Sequence, residues 1–191
     1  MNCPGSIIIF NEIPRSYKEL PLRFSEVGTV FRYEQPGEVN GLLRARALTI
    51  DDAHIYCREE QLESELIKLI DFIHQVYCEY GFPEIRVELS TRPVKSIGTD
   101  KQWQQAESGL RKALVSQKLP YTENKGGGAF YGPKIDFHIK DVLKRSWQMG
   151  TIQLDFATAE RLAATYRNEK EKRENPIIIH RAILGSIERF I

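Results

Sequence analysis

Residues 134–156 read KIDFHIKDVLKRSWQMGTIQLDF, and the two ends of this stretch carry the same pattern. In Lys134-Ile-Asp-Phe-His-Ile, polar and apolar residues alternate. Met149-Gly-Thr-Ile-Gln-Leu-Asp-Phe alternates again. Side chains of a strand point to opposite faces in turn, so each segment predicts a strand with one apolar and one polar face. Lys140-Asp-Val-Leu-Lys-Arg between them is polar and predicts a turn. Two such strands with a short connection predict an antiparallel pair whose second face is wet or functional.

Helices are predicted upstream. From Glu59 to Tyr80, Leu62, Leu66, Leu69, Ile70, Ile73 and Val76 recur at intervals of three and four. Glu59 and Glu60 suit the positive end of the helix dipole, and Gly81-Phe-Pro ends the helix. A strand is predicted at Glu84-Ile-Arg-Val-Glu-Leu-Ser. A second helix follows from about Asp100 to Gln117, with Ala106, Leu110 and Leu114 on one face. Downstream, the charged run from Arg167 to Asn175 predicts a solvated loop. Pro176-Ile-Ile-Ile-His reads as a buried strand, and Ala182 to Ile191 as the start of a helix. The sum is an α+β domain, an antiparallel sheet flanked by helices.

The chain of 191 residues is long enough for one domain with a core. Lys+Arg 27 against Asp+Glu 26 leaves a net charge of +1, which argues against strong non-specific nucleic-acid binding by this segment alone. The three cysteines are irregularly spaced, as in a reduced intracellular protein rather than a disulfide scaffold. No apolar run is long enough to cross a membrane, and MNCPGSIIIF lacks the pattern of a signal peptide. The expected location is cytoplasmic. An organelle protein freed of its transit peptide reads the same. The abrupt start at MNCPG and the stop at Glu188-Arg-Phe-Ile, where an apolar helix begins, suggest a fragment.

Four groupings could carry chemistry. Cys3, Cys57, Cys78, His54, His74, His138 and His180 are potential metal donors, but none stands at a local zinc spacing, and spacing alone favours ordinary residues. His74 and Cys78 share a helix face and read more simply as surface residues. His138 reads as solvent-facing. Arg32, Glu34, Arg44 and Arg46 flank a loop, either to grip phosphate or carboxylate or as ordinary surface ion pairs. In Thr49-Ile-Asp-Asp-Ala-His, Asp52 and His54 point one way, Asp51 and Ala53 the other. Gly126-Gly-Gly-Ala-Phe-Tyr-Gly-Pro-Lys is a loop or a ligand rim, and it is not a P-loop.

Taken together, MNCPG (1–5), LPLRFSEVGTVFRYE (20–34), GLLRARALTIDDAHIYC (41–57), STRP (90–93), GGAFYGPKIDF (127–137), GTIQLDF (150–156) and IHRAILGSIERF (179–190) resemble the threonyl-tRNA synthetases, a family of class II aminoacyl-tRNA synthetases. The resemblance covers nearly the whole chain, in the family's order. It implies a partial class II catalytic domain over 1–191, with motif 2 at about 20–57 and motif 3 at about 177–191. Editing and anticodon-binding domains are not within it. It implies ATP-dependent activation of threonine and transfer to tRNA(Thr) by a homodimeric parent enzyme with no membrane association.

The same resemblance assigns roles. Cys3, His54 and His180 would bind Zn2+, leaving a position for threonine's amino and hydroxyl groups and so rejecting valine. Asp52 would accept the threonine hydroxyl, with Tyr131, Lys134, Gln153 and Ile50 around the amino acid. Arg32 would hold carboxylate and α-phosphate together, Glu34 would read adenine, and Arg44 would reach the terminal phosphates. Arg189 would stack on adenine, Leu48, Gln148 and Ser186 complete the nucleotide side, and Mg2+ accompanies ATP. Arg32, Lys134 and Arg189 are the catalytic candidates. Three positions depart from the family pattern: Ser6 replaces a common His, Leu48 an aromatic, and Ile50 a Gln. They motivate a second reading, a synthetase-like fragment or paralogue that binds nucleotide or a partner without aminoacylating. A third is another adenylate- or amide-forming class II relative.

Overall fold

The two alternating segments form antiparallel strands at Lys134–Lys140 and Ser146–Asp155. The structure is a computed structural model, and it describes residues 2–191. In chain order the elements are α1 (Cys3–Asn11), β1 (Arg15–Ser16), β2 (Leu22–Phe31), β3 (Ala47–Cys57), α2 (Glu59–Glu79), β4 (Arg86–Ser90), α3 (Asp100–Ser116), β5 (Tyr121–Asn124), β6 (Lys134–Lys140) and β7 (Ser146–Asp155). Then follow α4 (Thr158–Arg161), β8 (Tyr166–Arg167), β9 (Arg173–Glu174), β10 (Ile177–Ser186) and α5 (Ile187–Phe190). Seven strands form one sheet in the order β2-β3-β10-β7-β6-β4-β5.

The alternation decides what each face does. Ala53, Ile55 and Cys57 of β3, Ile135 and Phe137 of β6, Ile152 and Leu154 of β7, and Ile177 and Ile179 of β10 share one face. They pack under Leu62, Leu66, Ile70 and Ile73 of α2 and Leu110 and Leu114 of α3. The intervening residues face the other way: Asp52 and His54, Lys134 and Asp136, Thr151, Gln153 and Asp155, and His180. Directly opposed residues share a face, and the pairs His54–His180, His180–Gln153 and Lys134–Gln153 assemble this polar surface. Leu66 is wholly buried in the core. Leu66→Ala is expected to destabilise the protein by about 2–5 kcal/mol, read as a lowered midpoint in denaturant.

Four expectations need correction. The sheet is antiparallel except at one edge, where β4 and β5 run parallel. The chain between them crosses through α3, a connection that parallel neighbours need. The run from Arg167 to Asn175 is more than a loop, because β8 pairs with β9, and β8 also lies parallel to β1. The C-terminal helix starts at Ile187 instead of Ala182. The strand β10 continues to Ser186, because the N–H groups of Ile183, Leu184 and Gly185 are held by the Asp51 carboxylate instead of helix carbonyls. The fourth is His138, read as solvent-facing but only partly exposed, with its Nε2 buried.

Near the N-terminus, where periodicity predicts no helix, the chain forms α1, with Pro4 in its first turn, where a missing N–H costs nothing. Its Ile7 and Phe10 pack on Tyr56 and Ile178 at one end of the polar face, the Phe10 and Tyr56 rings stacked 4.3 Å apart. Cys3 is thereby carried to that face. Among the described residues, no helix is long and apolar enough to cross a membrane.

Candidate active site

The polar face opens into a cavity of about 440 Å³. Leu48, Ile50, Asp52 and His54 succeed one another on one face of β3. At roughly 3.3 Å per residue they mark out about 20 Å of its length. Cys3, Asp52, Tyr131, Gln153 and His180 line the cavity, as do Arg32, Glu34, Arg44, Leu48, Ile50, Gln148, Ser186 and Arg189.

One end gathers potential metal donors. The donor atoms of Cys3, His54 and His180 all lie within 4.8 Å of one another. His54 and His180 sit opposite each other on β3 and β10, with ring centres 5.0 Å apart. Both are buried, and His54 Nε2 and His180 Nδ1 have no hydrogen-bond partner. Buried ring nitrogens are normally satisfied. Two buried imidazoles and a thiol whose donor atoms lie this close make a set suited to zinc with a further position open. Burial, with His180 alongside, pushes His54 down to about 3. Burial also opposes charge on His180, but the hydrogen bond with the Asp155 carboxylate and the nearness of the Cys3 thiol outweigh it and lift His180 to about 9. At neutral pH His54 is therefore a neutral imidazole and His180 an imidazolium, which must release one proton to become a ligand. Tyr131 donates to Gln153 Oε1, and its ring centre is 5.4 Å from that of His180.

The other end is rich in arginine. Arg32 is exposed and, among the described residues, forms no ion pair. Arg44 Nη2 lies 2.9 Å from Glu34 and 3.3 Å from Glu38. The guanidinium of Arg189 rests on the Trp147 ring at 5.2 Å. Leu48 and Ile50 present apolar surface where the resemblance led one to expect an aromatic and an amide. Lys134 faces the same side of the sheet but stands apart from the cavity wall, its Nζ 2.8 Å from Asp136.

The profile of the family described as tRNA synthetase class II core domain (G, H, P, S and T) matches residues 1–191. The chain belongs to that family. This class II core is 51% identical over its whole length to the threonine–tRNA ligase of Hahella chejuensis, of which it spans 30%. It is thus a threonine–tRNA ligase homologue. A solved structure described as the RNA binding domain of threonyl-tRNA synthetase from Cryptosporidium parvum Iowa II superposes with a TM-score of 0.94 at 45% identity, over all of this chain and 48% of that one. Giardia lamblia prolyl-tRNA synthetase superposes with a TM-score of 0.64 over 97% of this chain and 31% of that one. At 17% identity this second likeness shows the fold alone. The class II core thus spans less than half the length of each of these three proteins.

Three carboxylates of the class II core were not singled out from the sequence, or not for what they do. Asp51 faces away from Asp52, as alternation requires. It accepts N–H groups from Ile183 (2.7 Å), Leu184 (3.0 Å) and Gly185 (2.9 Å), and it pairs with Arg181 at 3.2 Å. These bonds hold a register shift in β10 between Ala182 and Ser186, just before Ser186 and Arg189 reach the cavity. Gly185 is required there: its φ is +67°, and a Cβ would lie 2.8 Å from the Met149 carbonyl oxygen. Asp136 is buried and accepts from Ser90, Gln148 and Thr151 besides Lys134. Asp155 is buried against His180 at 3.1 Å. Asp136 and Asp155 both sit on the polar face of an alternating strand, the one available signal.

Ser6 does not reach the cavity. It is buried, with its hydroxyl 2.7 Å from that of Tyr56. His74 and Cys78 lie 3.6 Å apart on the exposed side of α2, without a third donor among the described residues, and Cys57 is buried in the core, its thiol pushed up to about 12.

Proposed function

We propose that this core activates threonine with ATP and passes it to tRNA(Thr). The observation that carries the reading is the donor cluster of Cys3, His54 and His180 at one end of a cavity that Asp52 and Arg32 also line. Zinc held by those three residues would supply a Lewis-acid position that the amino and hydroxyl groups of threonine can complete. Asp52 accepts a hydrogen bond from the hydroxyl. Valine has the same shape but would leave that buried carboxylate without its partner. Fit to a methyl group discriminates by only about 1–3 kcal/mol, whereas a site built to bond a hydroxyl rejects the analogue lacking it far more strongly. Tyr131 and Gln153, already bonded to each other, close the amino-acid side.

Activation joins a carboxylate oxygen of threonine to the α-phosphorus of ATP as pyrophosphate leaves. Arg32 bridges the two reacting groups, holding them in line and neutralising charge on the phosphate. Arg189 offers its free face to adenine while Trp147 covers the other. The Arg44–Glu34 pair is half-exposed at the arginine, and such pairs are worth about 0–1 kcal/mol, so ATP can redirect Arg44 to its terminal phosphates and Glu34 to adenine. Gln148 and Ser186 position the nucleotide, and Mg2+ accompanies it. Lys134 acts from the edge of the site, aligned by Asp136. Leu48 gives adenine an apolar support. A homodimeric intact enzyme and a cytoplasmic location complete the reading.

Threonine-dependent ATP–pyrophosphate exchange by the intact protein is the test, with valine giving none. Threonine binding without exchange would favour the second reading, a binding protein, which Ile50 in the cavity wall motivates. Exchange driven by a different amino acid would favour the third.

A further inference from the structure

We propose that Asp155 is a positioning residue that fixes the tautomer of His180, so that the ring nitrogen facing Cys3 and His54 is the one free to bind metal. The inference rests on the metal reading above and adds to it a residue that is not a ligand. Asp155 ends β7, on the same face as His180. Its Oδ2 lies 3.1 Å from His180 Nε2. Its Oδ1 accepts the backbone N–H groups of Ala157 at 2.9 Å and Thr158 at 2.8 Å, where α4 begins. Both oxygens are thus engaged, and the carboxyl group is 1% exposed, so it can neither swing into the metal cluster nor exchange its partner for water.

The consequence follows from donor and acceptor chemistry. An ionised carboxylate only accepts, so the bond to Nε2 requires the proton to be on Nε2. In a neutral imidazole the lone pair is then on Nδ1. His180 Nδ1 is the buried nitrogen without a partner. A carboxylate behind a ligating histidine fixes ring orientation and makes the ligand more basic.

Asp155→Asn separates this role from a structural one. The Asn Oδ1 can still accept from Ala157 and Thr158, so the start of α4 is kept. Its Nδ2 then faces His180 Nε2, and two N–H donors cannot be opposed. The ring must move its proton to Nδ1, which faces the cluster. The expected result in the intact protein is a roughly 10–100-fold loss of zinc affinity in competition with a chelator. The metal-free variant should keep its fold, read by circular dichroism, although loss of the buried carboxylate–imidazolium pair lowers its thermal midpoint. Equal zinc affinity in wild type and variant would overturn the inference. Absence of zinc binding by the wild type would overturn the metal reading itself. Because the variant could fail to fold, nitrogen NMR of the zinc-bound wild type gives a second reading. His180 protonated at Nε2 is expected, and protonation at Nδ1 would refute the proposal.

Discussion

Cys3→Ala is expected to empty the metal centre and abolish threonine-dependent pyrophosphate exchange. Cys3 supplies the one sulfur of the cluster, from the first turn of α1, whereas both histidines sit on paired strands of the sheet. Removing it leaves two imidazoles at 5.0 Å between ring centres, too few donors to hold zinc tightly. The loss should exceed the roughly 10–100-fold that accompanies deletion of a hydrogen bond to a ligand. Folding should be little affected, because α1 is anchored by Ile7 and Phe10 against Tyr56 and Ile178, away from the thiol. The pH dependence has a defined sign. Below about 9 the incoming metal must displace the proton that His180 holds, so apparent zinc affinity rises with pH through the neutral range. His54, held down to about 3, is already neutral and contributes no slope there. Dialysis against a chelator at several pH values, followed by metal analysis, measures both effects.

The second large effect is predicted for Arg32→Ala. Arg32 lines the cavity without a competing carboxylate, in contrast to Arg44 and Arg181. Removing a charged donor that meets developing charge costs a catalytic rate about 10²–10³-fold. The loss should appear mainly in kcat of exchange, with zinc content unchanged, because Arg32 lies outside the metal cluster. Arg32→Lys should recover only part of the activity, since an ammonium group cannot bridge carboxylate and phosphate with a planar fork. Wild-type exchange rates in Arg32→Ala would remove Arg32 from the mechanism.

Local pattern carried the parts of the fold that local physics determines. The alternation at 134–156 predicted β6, β7 and their two unlike faces, and the leucine and isoleucine spacing predicted α2. Partners in the sheet were not legible, because periodicity does not say which strand lies beside which. The parallel β4–β5 edge is the result. Helix α1 escaped because Ile7, Ile8, Ile9 and Phe10 are contiguous and show no amphipathic period, although only Ile7 and Phe10 are buried. The C-terminal misreading came from Asp51. A carboxylate 132 residues away in sequence takes the N–H of Ile183, and no local rule anticipates it.

The site was legible in a different way. No spacing rule links Cys3, His54 and His180, which come from a helix and two strands. Family resemblance selected them, and the fold then placed their donor atoms within 4.8 Å of one another. Asp155 lies within GTIQLDF, but its place behind His180 emerges only from contacts.

Zinc-edge X-ray absorption on the purified intact protein, with and without threonine, tests the central claim most directly. The account predicts one zinc per chain with one sulfur at about 2.3 Å and two imidazole nitrogens, and additional nitrogen or oxygen neighbours on adding threonine but not valine. Zinc without a sulfur ligand, or a protein that exchanges pyrophosphate with threonine while holding no metal, would contradict it.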